Sequence, residues 1–256
     1  MTSVPAGAGS GIGFHEVELG PGVLAGFTDR HGGAGTAPYD TLNLGARVGD
    51  DPGTVARNRG LVADRVGARV AFVQPVHGAD VLVVRSGDQP VPDAGFDVLV
   101  STTPDVAVAA IAADCVPVLL ADPVARVVAA AHVGRRGLVA GAVDAALDAL
   151  VALGADAGRL AAAVGPAIAG VSYEVPAELR DEVAATVPES RSTTSWGTPG
   201  LDLPAGVEAR LRARGVRVRR SARDTFTDPD LFSYRRDGAT GRLAGVVRLL
   251  PPGADG

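Results

Sequence analysis

The sequence predicts an α+β fold with mixed β-sheets covered by helices, and two observations favour this class. Short runs of β-branched and other apolar residues outnumber the helical patterns. Several of these runs also follow one another without a helix between them, whereas a doubly wound parallel sheet needs a helix in each crossover. No linker and no internal repeat divides the 256 residues, and 46% of them are hydrophobic, which is enough for a large core.

Five apolar runs are the clearest predicted strands. The last two enclose Asp122-Pro123, a dipeptide typical of turns, so together they are predicted to form a β-hairpin. Proline at the first central position favours a type I or II turn, which is a less common hairpin connection. The five runs cover residues 68–76, 81–85, 106–112, 117–122 and 125–132.

Four segments show helical patterns. Asp50 or Asp51 can cap the first, and proline suits a first helical turn, where its missing N–H costs nothing. Between the third and fourth helices, residues 188–200 are rich in serine, threonine, glycine and proline, which predicts a surface loop. The predicted helices run from Pro52 to Val66, from Gly137 to Leu153, from Pro176 to Val187 and from Pro204 to Arg214.

The charged residues exclude several classes of function. All 24 basic residues are arginine, so the chain has neither a Schiff-base lysine nor a P-loop lysine. The net charge is −5, which gives no general signal for nucleic acid as a partner. Residues 209–223 contain seven arginines, and we interpret them as a solvated helix face followed by a strand.

The N-terminus and the apolar segments predict a cytoplasmic protein without a membrane span. The N-terminus lacks the basic start and apolar segment of a signal peptide, and one cysteine permits no intramolecular disulfide. The longest apolar segment, residues 137–154, is interrupted by Asp144 and Asp148 and falls short of the roughly 20 apolar residues that a span needs. We predict an amphipathic helix there.

The single cysteine, Cys115, lies between Asp114 and a strand-like run in AADCVPVLL. A turn centred between Pro123 and Val124 places Cys115 opposite His132 on the neighbouring strand. Opposed residues have Cβ atoms about 4.5–5.5 Å apart, close enough for a thiolate and an imidazole to share a metal ion. A slip of one residue would send the two side chains to opposite faces.

His77 is the natural third ligand, because it also follows an apolar run and precedes Gly78, which lets the backbone turn. Two histidines and one cysteine give zinc three protein ligands and leave a fourth position for water or substrate, as in catalytic sites. The alternative is a buried cysteine that acts as a small hydrophobic residue beside hydrogen-bonded histidines. Of the other histidines, His31 lies in a glycine-rich loop that could line a site, and His15 has no evident partner.

Seven motifs follow one another along nearly the whole chain. They are GFTDRHGG, YDTLNLGARVGDDP, QPVHGADV, ADCVPVLLADP, AAHVGRRGL, VGPAIAGVSYEV and FTDPDLFSYRRDGATGR. In this order they resemble the laccase-domain family, whose members are also described as multicopper polyphenol oxidase-like proteins, purine nucleoside phosphorylases or peptidoglycan-editing factors. The resemblance implies that His77, Cys115 and His132 bind zinc, with copper as the alternative metal. It also implies one catalytic domain over residues 13–252, with α/β/β/α-type layers. Residues 1–12 are rich in glycine, alanine and serine, and this composition predicts a flexible segment before the domain.

The chain departs from the family pattern at a few positions. The family usually has AHAGWRG where this chain has AHVGRRG, so Arg135 stands at the position of an aromatic residue and a stacking role does not carry over. Family members often have cysteines where this chain has Val171 or Ser172 and Asp224. The thiol that remains, Cys115, is the one that the metal site requires.

The activity that the resemblance implies is phosphorolysis of adenosine, inosine and methylthioadenosine, with hydrolytic deamination of adenosine beside it. The partners are then a purine nucleoside and phosphate. Deamination needs an activated water, which zinc supplies by lowering the pKa of water to about 7. Phosphorolysis needs a dianion held beside the anomeric carbon, and guanidinium groups bind phosphate through two parallel hydrogen bonds.

Four motif residues are candidates for binding the substrates. Arg30, Arg136 and Arg235, or its neighbour Arg236, could contact phosphate or ribose, with a surface salt bridge as the alternative for each. Asn43 could hydrogen-bond the substrate, although an asparagine before a turn often satisfies its own backbone.

Asp114 is the candidate catalytic carboxylate. It could orient a ligand or carry a proton, and the alternative is that it caps a strand end.

Three rival functions stay open. Cys115 could be a nucleophile with His132 as its base, as in cysteine hydrolases or a peptidoglycan-precursor editing enzyme. A copper-dependent phenol oxidase is the second, although four histidines cannot build both a blue and a trinuclear copper centre. A binding protein without activity is the third.

Overall fold

The computed structural model describes residues 11–92 and 95–253, and the prediction of a flexible segment at residues 1–12 falls almost entirely outside them. Within this part of the chain, two large mixed sheets and one small antiparallel pair are joined by six α-helices. The strands are β1 (Phe14–Glu16), β2 (Val23–Thr28), β3 (Arg69–Phe72), β4 (Val81–Val84), β5 (Val98–Ser101), β6 (Val106–Ala112), β7 (Val116–Asp122), β8 (Val127–Val133), β9 (Ala161–Val164), β10 (Arg191–Thr193), β11 (Pro199–Leu201), β12 (Arg217–Arg220) and β13 (Leu243–Leu249). The helices are α1 (Pro52–Val66), α2 (Arg135–Ala140), α3 (Ala142–Ala152), α4 (Ala177–Thr186), α5 (Leu203–Ala213) and α6 (Tyr234–Asp237).

The two large sheets pack face to face and form the centre of the molecule. One has the order β1-β2-β13-β6-β3 and the other the order β12-β9-β7-β8-β5-β4, and each contains both parallel and antiparallel pairs. Helices α2, α3 and α5 cover the outer face of the second sheet, while α1 packs on the first. The predicted α+β class and its α/β/β/α layering are confirmed.

The hairpin β7–β8 lies between two cores. Val118 and Leu120 of β7 pack with the helices, whereas Leu119 and Ala121 pack against the other sheet. Both faces of the strand are therefore buried, which explains why its sequence is a continuous apolar run instead of an alternating pattern.

Helix α1 begins and ends where the sequence predicts. The Asp51 side chain accepts a hydrogen bond from the Thr54 N–H and caps the helix, and Pro52 occupies its first turn. The helix ends at Val66 and Gly67 forms its C-terminal cap.

The other helices differ from the prediction in instructive ways. The helix expected over Gly137 to Leu153 is two helices, because Gly141 takes a left-handed conformation (φ 86°) that ends α2 and begins α3. Helices α4 and α5 begin and end within a residue of the predicted limits. Residues 188–200, predicted as a loop, instead form a short 3₁₀ turn and the β10–β11 hairpin, whose end is closed by hydrogen bonds between Thr194 and Thr198.

The register of the β7–β8 hairpin corrects the sequence prediction. Pro117, not Cys115, pairs with His132, so the strands are shifted by two residues from the predicted pairing. The connection is longer than predicted because Arg126 adopts a left-handed conformation (φ 53°) and the Asp122 carboxylate accepts the N–H groups of the turn. A shift of two residues keeps side chains on the same face, so Cys115 and His132 still approach each other.

The arginine-rich segment agrees with its prediction. Residues 209–223 cover the end of α5 and the edge strand β12, whose arginines are mostly exposed. Among the helices that the structure describes, none is long and apolar enough to cross a membrane.

Candidate functional site

Three side chains meet at one end of the β7–β8 hairpin. His77 lies in the loop between β3 and β4, Cys115 immediately precedes β7, and His132 is near the end of β8. Their ligand atoms all lie within 4.8 Å of one another. Cys115 Sγ is 3.9 Å from His77 Nε2, and the two imidazole rings are nearly perpendicular with centroids 5.0 Å apart. The three residues that the sequence predicted as metal ligands are brought together.

Asp97 holds both histidines of this cluster. It is fully buried, and its Oδ1 accepts a 2.8 Å hydrogen bond from His132 Nδ1 and a 3.1 Å bond from the His77 N–H. Its Oδ2 accepts the Gly78 N–H at 2.7 Å. Because Nδ1 of His132 is committed to the carboxylate, Nε2 is the atom that is available to a metal ion.

The donor set and its spacing fit a zinc ion. At bond lengths of about 2.3 Å to sulfur and about 2.0 Å to nitrogen, two donors on a tetrahedral zinc lie about 3.5 Å apart. The 3.9 Å between Cys115 and His77 is close to that value. Gly134 makes the spacing feasible, since a Cβ atom there would lie 2.5 Å from the His77 ring and 3.0 Å from Cys115 Sγ. Three donors on one side leave a fourth position open toward a cavity.

The charges of the cluster suit metal binding. Burial raises the pKa of the Cys115 thiol, but the charge of His132 and hydrogen bonds from His132 and His77 outweigh burial and lower the pKa to about 6. Burial lowers the pKa of His132, but the thiolate charge and the bond to Asp97 raise it to about 9. A thiolate is the form of cysteine that binds metals, whereas His132 has to release the proton on Nε2 when a metal ion binds.

Two cavities flank the cluster, and both are lined by Ala113, Cys115 and Tyr234. The larger, of about 340 Å³, also contains His77 and His132 in its wall, so a metal ion held by the three residues would border this cavity. The smaller, of about 220 Å³, is lined by Cys115 but by neither histidine. The larger cavity has the polar residues Arg47, Gln74 and Arg242, and the smaller has Asp114, Tyr173 and Arg235.

Asp114 organises the loop that closes the smaller cavity. Its left-handed backbone (φ 87°) follows β6, and its carboxylate accepts hydrogen bonds from the Thr225 and Ser233 hydroxyls and the Arg235 N–H. The carboxylate that bonds the ring of His132 is Asp97, so the orienting role that the sequence suggested for Asp114 stays a prediction without a contact to His132. A role of Asp114 as a proton carrier stays a prediction.

Arg235 is the predicted substrate residue that lies beside the cluster. Its guanidinium packs 4.8 Å from the centre of the Tyr173 ring and donates to the Glu174 carbonyl at 2.7 Å. The neighbouring Arg236 instead bonds Asp237 and several loop carbonyls, which makes it part of the loop structure.

Three other predicted substrate residues lie outside the walls of the two cavities. Arg30 is bonded to Asp40 and stacks over Phe232. Asn43 is fully buried, and its side-chain amide makes hydrogen bonds to groups of the surrounding loop, as an asparagine before a turn often does. Arg136 is exposed on the first turn of α2. Their roles in binding stay predictions, and the structure accounts for Arg30 and Asn43 by their contacts in the fold.

The remaining histidines are paired with aspartates away from the cluster. His31 contacts Asp230 at 2.9 Å, and His15 contacts Asp29 at 2.9 Å, although no partner of His15 was evident in the sequence.

The sequence did not point to Asp97, Arg242, Gln74 or Tyr234. One feature of the sequence could have indicated Asp97: it is a single acidic residue directly before the buried strand β5. A carboxylate without a partner would be costly there. Arg242 ends the last of the seven motifs, behind the more conspicuous pair of arginines at 235 and 236.

Comparisons with known proteins identify relatives over most of the chain. A protein of Streptomyces coelicolor named purine nucleoside phosphorylase is 54% identical over 234 residues, which cover 89% of this chain and 96% of that protein. A protein of Mycobacterium tuberculosis with the same name is 48% identical over 86% of this chain and 89% of its own length.

Solved structures share the fold. The crystal structure of a Neisseria meningitidis protein superposes with a TM-score of 0.83 at 35% identity, covering 93% of this chain and 99% of that one. A Geobacillus stearothermophilus structure gives a TM-score of 0.80 at 31% identity, covering 90% and 93%. The family model described as multi-copper polyphenol oxidoreductase laccase matches residues 24–250. The chain therefore belongs to this laccase-domain family, which its ordered motifs had suggested.

Proposed function

We propose that this chain is a zinc-dependent purine nucleoside phosphorylase that acts on adenosine, inosine and methylthioadenosine, with adenosine deaminase as a side activity. The observation that carries the proposal is the cluster of His77, Cys115 and His132, with its open side facing a cavity of about 340 Å³. The names of the relatives supply the reaction class. The active domain comprises residues 13–252, and we expect it in the cytoplasm.

Zinc would be held by Cys115 Sγ and by one nitrogen of each histidine. When bound, it supplies Lewis-acid polarisation and activation of water. The protein contributes the geometry: Asp97 fixes the ring of His132 and the backbone of His77 before any ligand arrives.

The cavities provide room for both substrates. In phosphorolysis a phosphate oxygen bonds to C1′ of the ribose while the bond from C1′ to the purine breaks, so both groups must be held against the same carbon. Tyr234 stands in the wall of both cavities, and its ring is largely exposed, so it can pack against the nucleoside at the junction of the cavities. Arg235 and Tyr173 form the far wall of the smaller cavity.

The test measures zinc per chain and phosphate-dependent release of hypoxanthine from inosine, in the wild type and in Cys115→Ala. We expect about one zinc per chain and activity in the wild type, and loss of both in the variant. The control is His31→Gln, which alters an exposed histidine outside the cluster. Retained zinc and undiminished release in Cys115→Ala would overturn the assignment of the site.

A cysteine hydrolase is the second candidate, because Cys115, His132 and Asp97 also have the order of a nucleophile, a base and a residue that orients the base. Zinc content separates the two functions, since a thiolate that binds zinc is not free to attack a substrate. If the metal-free protein is the active form and alkylation of Cys115 abolishes its activity, the hydrolase is favoured. Copper reconstitution followed by a phenol oxidation assay tests the oxidase.

A further inference from the structure

We propose that Arg242 is the residue that binds the phosphate substrate, in the larger cavity beside His77 and His132. This inference rests on the proposed function. It replaces Arg30 and Arg136 as the candidate phosphate-binding residues, because Arg242 lines the larger cavity and those two arginines do not.

The fold fixes Arg242 at the start of the long strand β13. Its N–H donates to the buried Asn43 Oδ1 at 2.9 Å, and one terminal nitrogen of the guanidinium donates to the carbonyls of Thr240 and Gly241 at 2.8 and 2.9 Å. Gly45 gives the side chain room, because a Cβ there would lie 2.6 Å from Arg242 Cγ. The side chain is therefore held against the cavity wall by contacts that use only part of its five donors.

Arg242 also lacks the counter-ion that a desolvated arginine requires. Among the described residues, no carboxylate lies within 4 Å of its guanidinium. The negative groups that act on it are the Cys115 thiolate and Asp114, and burial lowers the pKa of Arg242 against their effect. The Asp114 carboxylate already accepts three hydrogen bonds, and the thiolate serves the metal cluster.

Arg59 shows what a structural arginine of similar burial looks like. Burial lowers its pKa as well, but two of its nitrogens donate to the Leu44 carbonyl and its guanidinium stacks over Phe72, 4.2 Å from the ring centre. Arg59 does not line the larger cavity. A half-buried cation without a counter-ion is costly, so the donors of Arg242 that its two carbonyl contacts leave free point to an anionic ligand.

The proposed phosphorolysis makes phosphate the anion that we expect in this cavity. Hydrogen phosphate adds one oxygen to C1′ of the nucleoside, the bond from C1′ to the purine nitrogen breaks, and the bonding electron pair leaves with the purine. The proton of hydrogen phosphate ends on that nitrogen, which gives ribose 1-phosphate and a neutral purine. A guanidinium with free N–H groups holds the dianion through charge-assisted hydrogen bonds while the new bond forms.

The experiment compares the wild type with Arg242→Gln and Arg242→Lys, with Arg59→Gln as the matched control. In steady-state phosphorolysis of inosine, Arg242→Gln should raise the KM for phosphate about 10- to 100-fold, the loss expected for charge-assisted hydrogen bonds, with a much smaller change in the KM for inosine. Arg242→Lys should be intermediate, because it keeps the charge but loses the paired donors. Arg59→Gln should leave the KM for phosphate unchanged.

Calorimetry with inorganic phosphate alone, on the zinc-loaded protein, tests the same site without turnover. Phosphate binding that is lost in Arg242→Gln and kept in Arg59→Gln supports the inference even if the wild type does not cleave inosine, in which case only the proposed function fails. An unchanged phosphate affinity and an unchanged KM for phosphate in both Arg242 variants overturn the inference. Circular dichroism identifies a variant that has not folded, and Arg242→Lys then decides.

Discussion

Two buried aspartates, Asp97 and Asp122, show how similar carboxylates can serve the site or the fold. Both are fully inaccessible, and each lies at the end of a strand of the same sheet. Each also accepts hydrogen bonds from at least three backbone N–H groups. They differ in the side chain that each one holds: Asp97 bonds His132, and Asp122 bonds Arg159.

The electrostatics of the two carboxylates are alike. Burial raises the pKa of each, but hydrogen bonds from His132 to Asp97 and from Arg159 to Asp122, together with the backbone N–H groups, outweigh burial and lower both values. A buried carboxylate with a lowered pKa is therefore not a sign of a functional site by itself. The histidine is the distinguishing partner, because its second nitrogen is presented to a cavity, whereas the arginine of the other pair ends in solvent.

The largest effect on stability should come from Asp122→Ala. The substitution removes the acceptor for three N–H groups of two turns and for Arg159, so we expect the free energy of unfolding to fall by about 3 kcal/mol. Urea denaturation measures the change. Zinc per folded chain should equal that of the wild type, and a variant that loses zinc while it stays folded would contradict the separation of the two carboxylates.

Asp97→Asn should weaken metal binding, which Asp122→Asn should not. The amide keeps the shape but can no longer accept all the bonds of the carboxylate or hold His132 in one orientation, so zinc affinity should fall about 10- to 100-fold. Competition with a chromophoric chelator measures the affinity. Asp122→Asn is the matched control and should bind zinc as the wild type does; equal affinities in all three proteins would show that Asp97 does not serve the site.

Gly134→Ala tests whether metal binding depends on the close packing of the ligands around Gly134. The added Cβ would collide with the His77 ring and press on Cys115, and relief of this contact separates the donors, so we expect about a tenfold loss of zinc affinity. The control is Gly60→Ala in α1, where nothing lies within 4 Å of the new atom. The same chelator assay applies, and an affinity equal to that of the wild type would mean that the site can widen freely.

Arg159→Gln should have the smallest effect. The Arg159 side chain is 42% exposed, so its bond with Asp122 is weakened by solvent and the other donors to the carboxylate remain. Thermal unfolding should show a much smaller shift than Asp122→Ala gives. A loss as large as that of Asp122→Ala would show that the ion pair, and not the turn, makes Asp122 important.

Local signals explain which parts of the fold were predictable. Helix α1 was predicted from end to end because its cap at Asp51 and its first residue, Pro52, are neighbours in sequence. The register of the β7–β8 hairpin was not, since it depends on the left-handed conformation of Arg126, a residue type that seldom adopts it. The break at Gly141 was missed because one glycine within a helical pattern is commonly tolerated.

The candidate site shows the same limit. The three predicted ligands could be found because cysteine and histidine are rare in this chain, so few combinations compete. Asp97 is one of many acidic residues, and its partner His132 is 35 positions away on another strand, so only the folded chain identifies it. Arg242 could not be singled out from the sequence for the same reason, because it is one of 24 arginines.

The single carboxylate of Asp97 also couples two parts of the chain that would otherwise move independently. The N–H of His77, in the loop between β3 and β4, and the ring of His132, on β8, are hydrogen-bonded to the same Asp97 oxygen, so this loop and this strand are held together at the cluster. The two histidine ligands are therefore preorganised for a metal ion, and little conformational entropy remains to be lost when the ion binds.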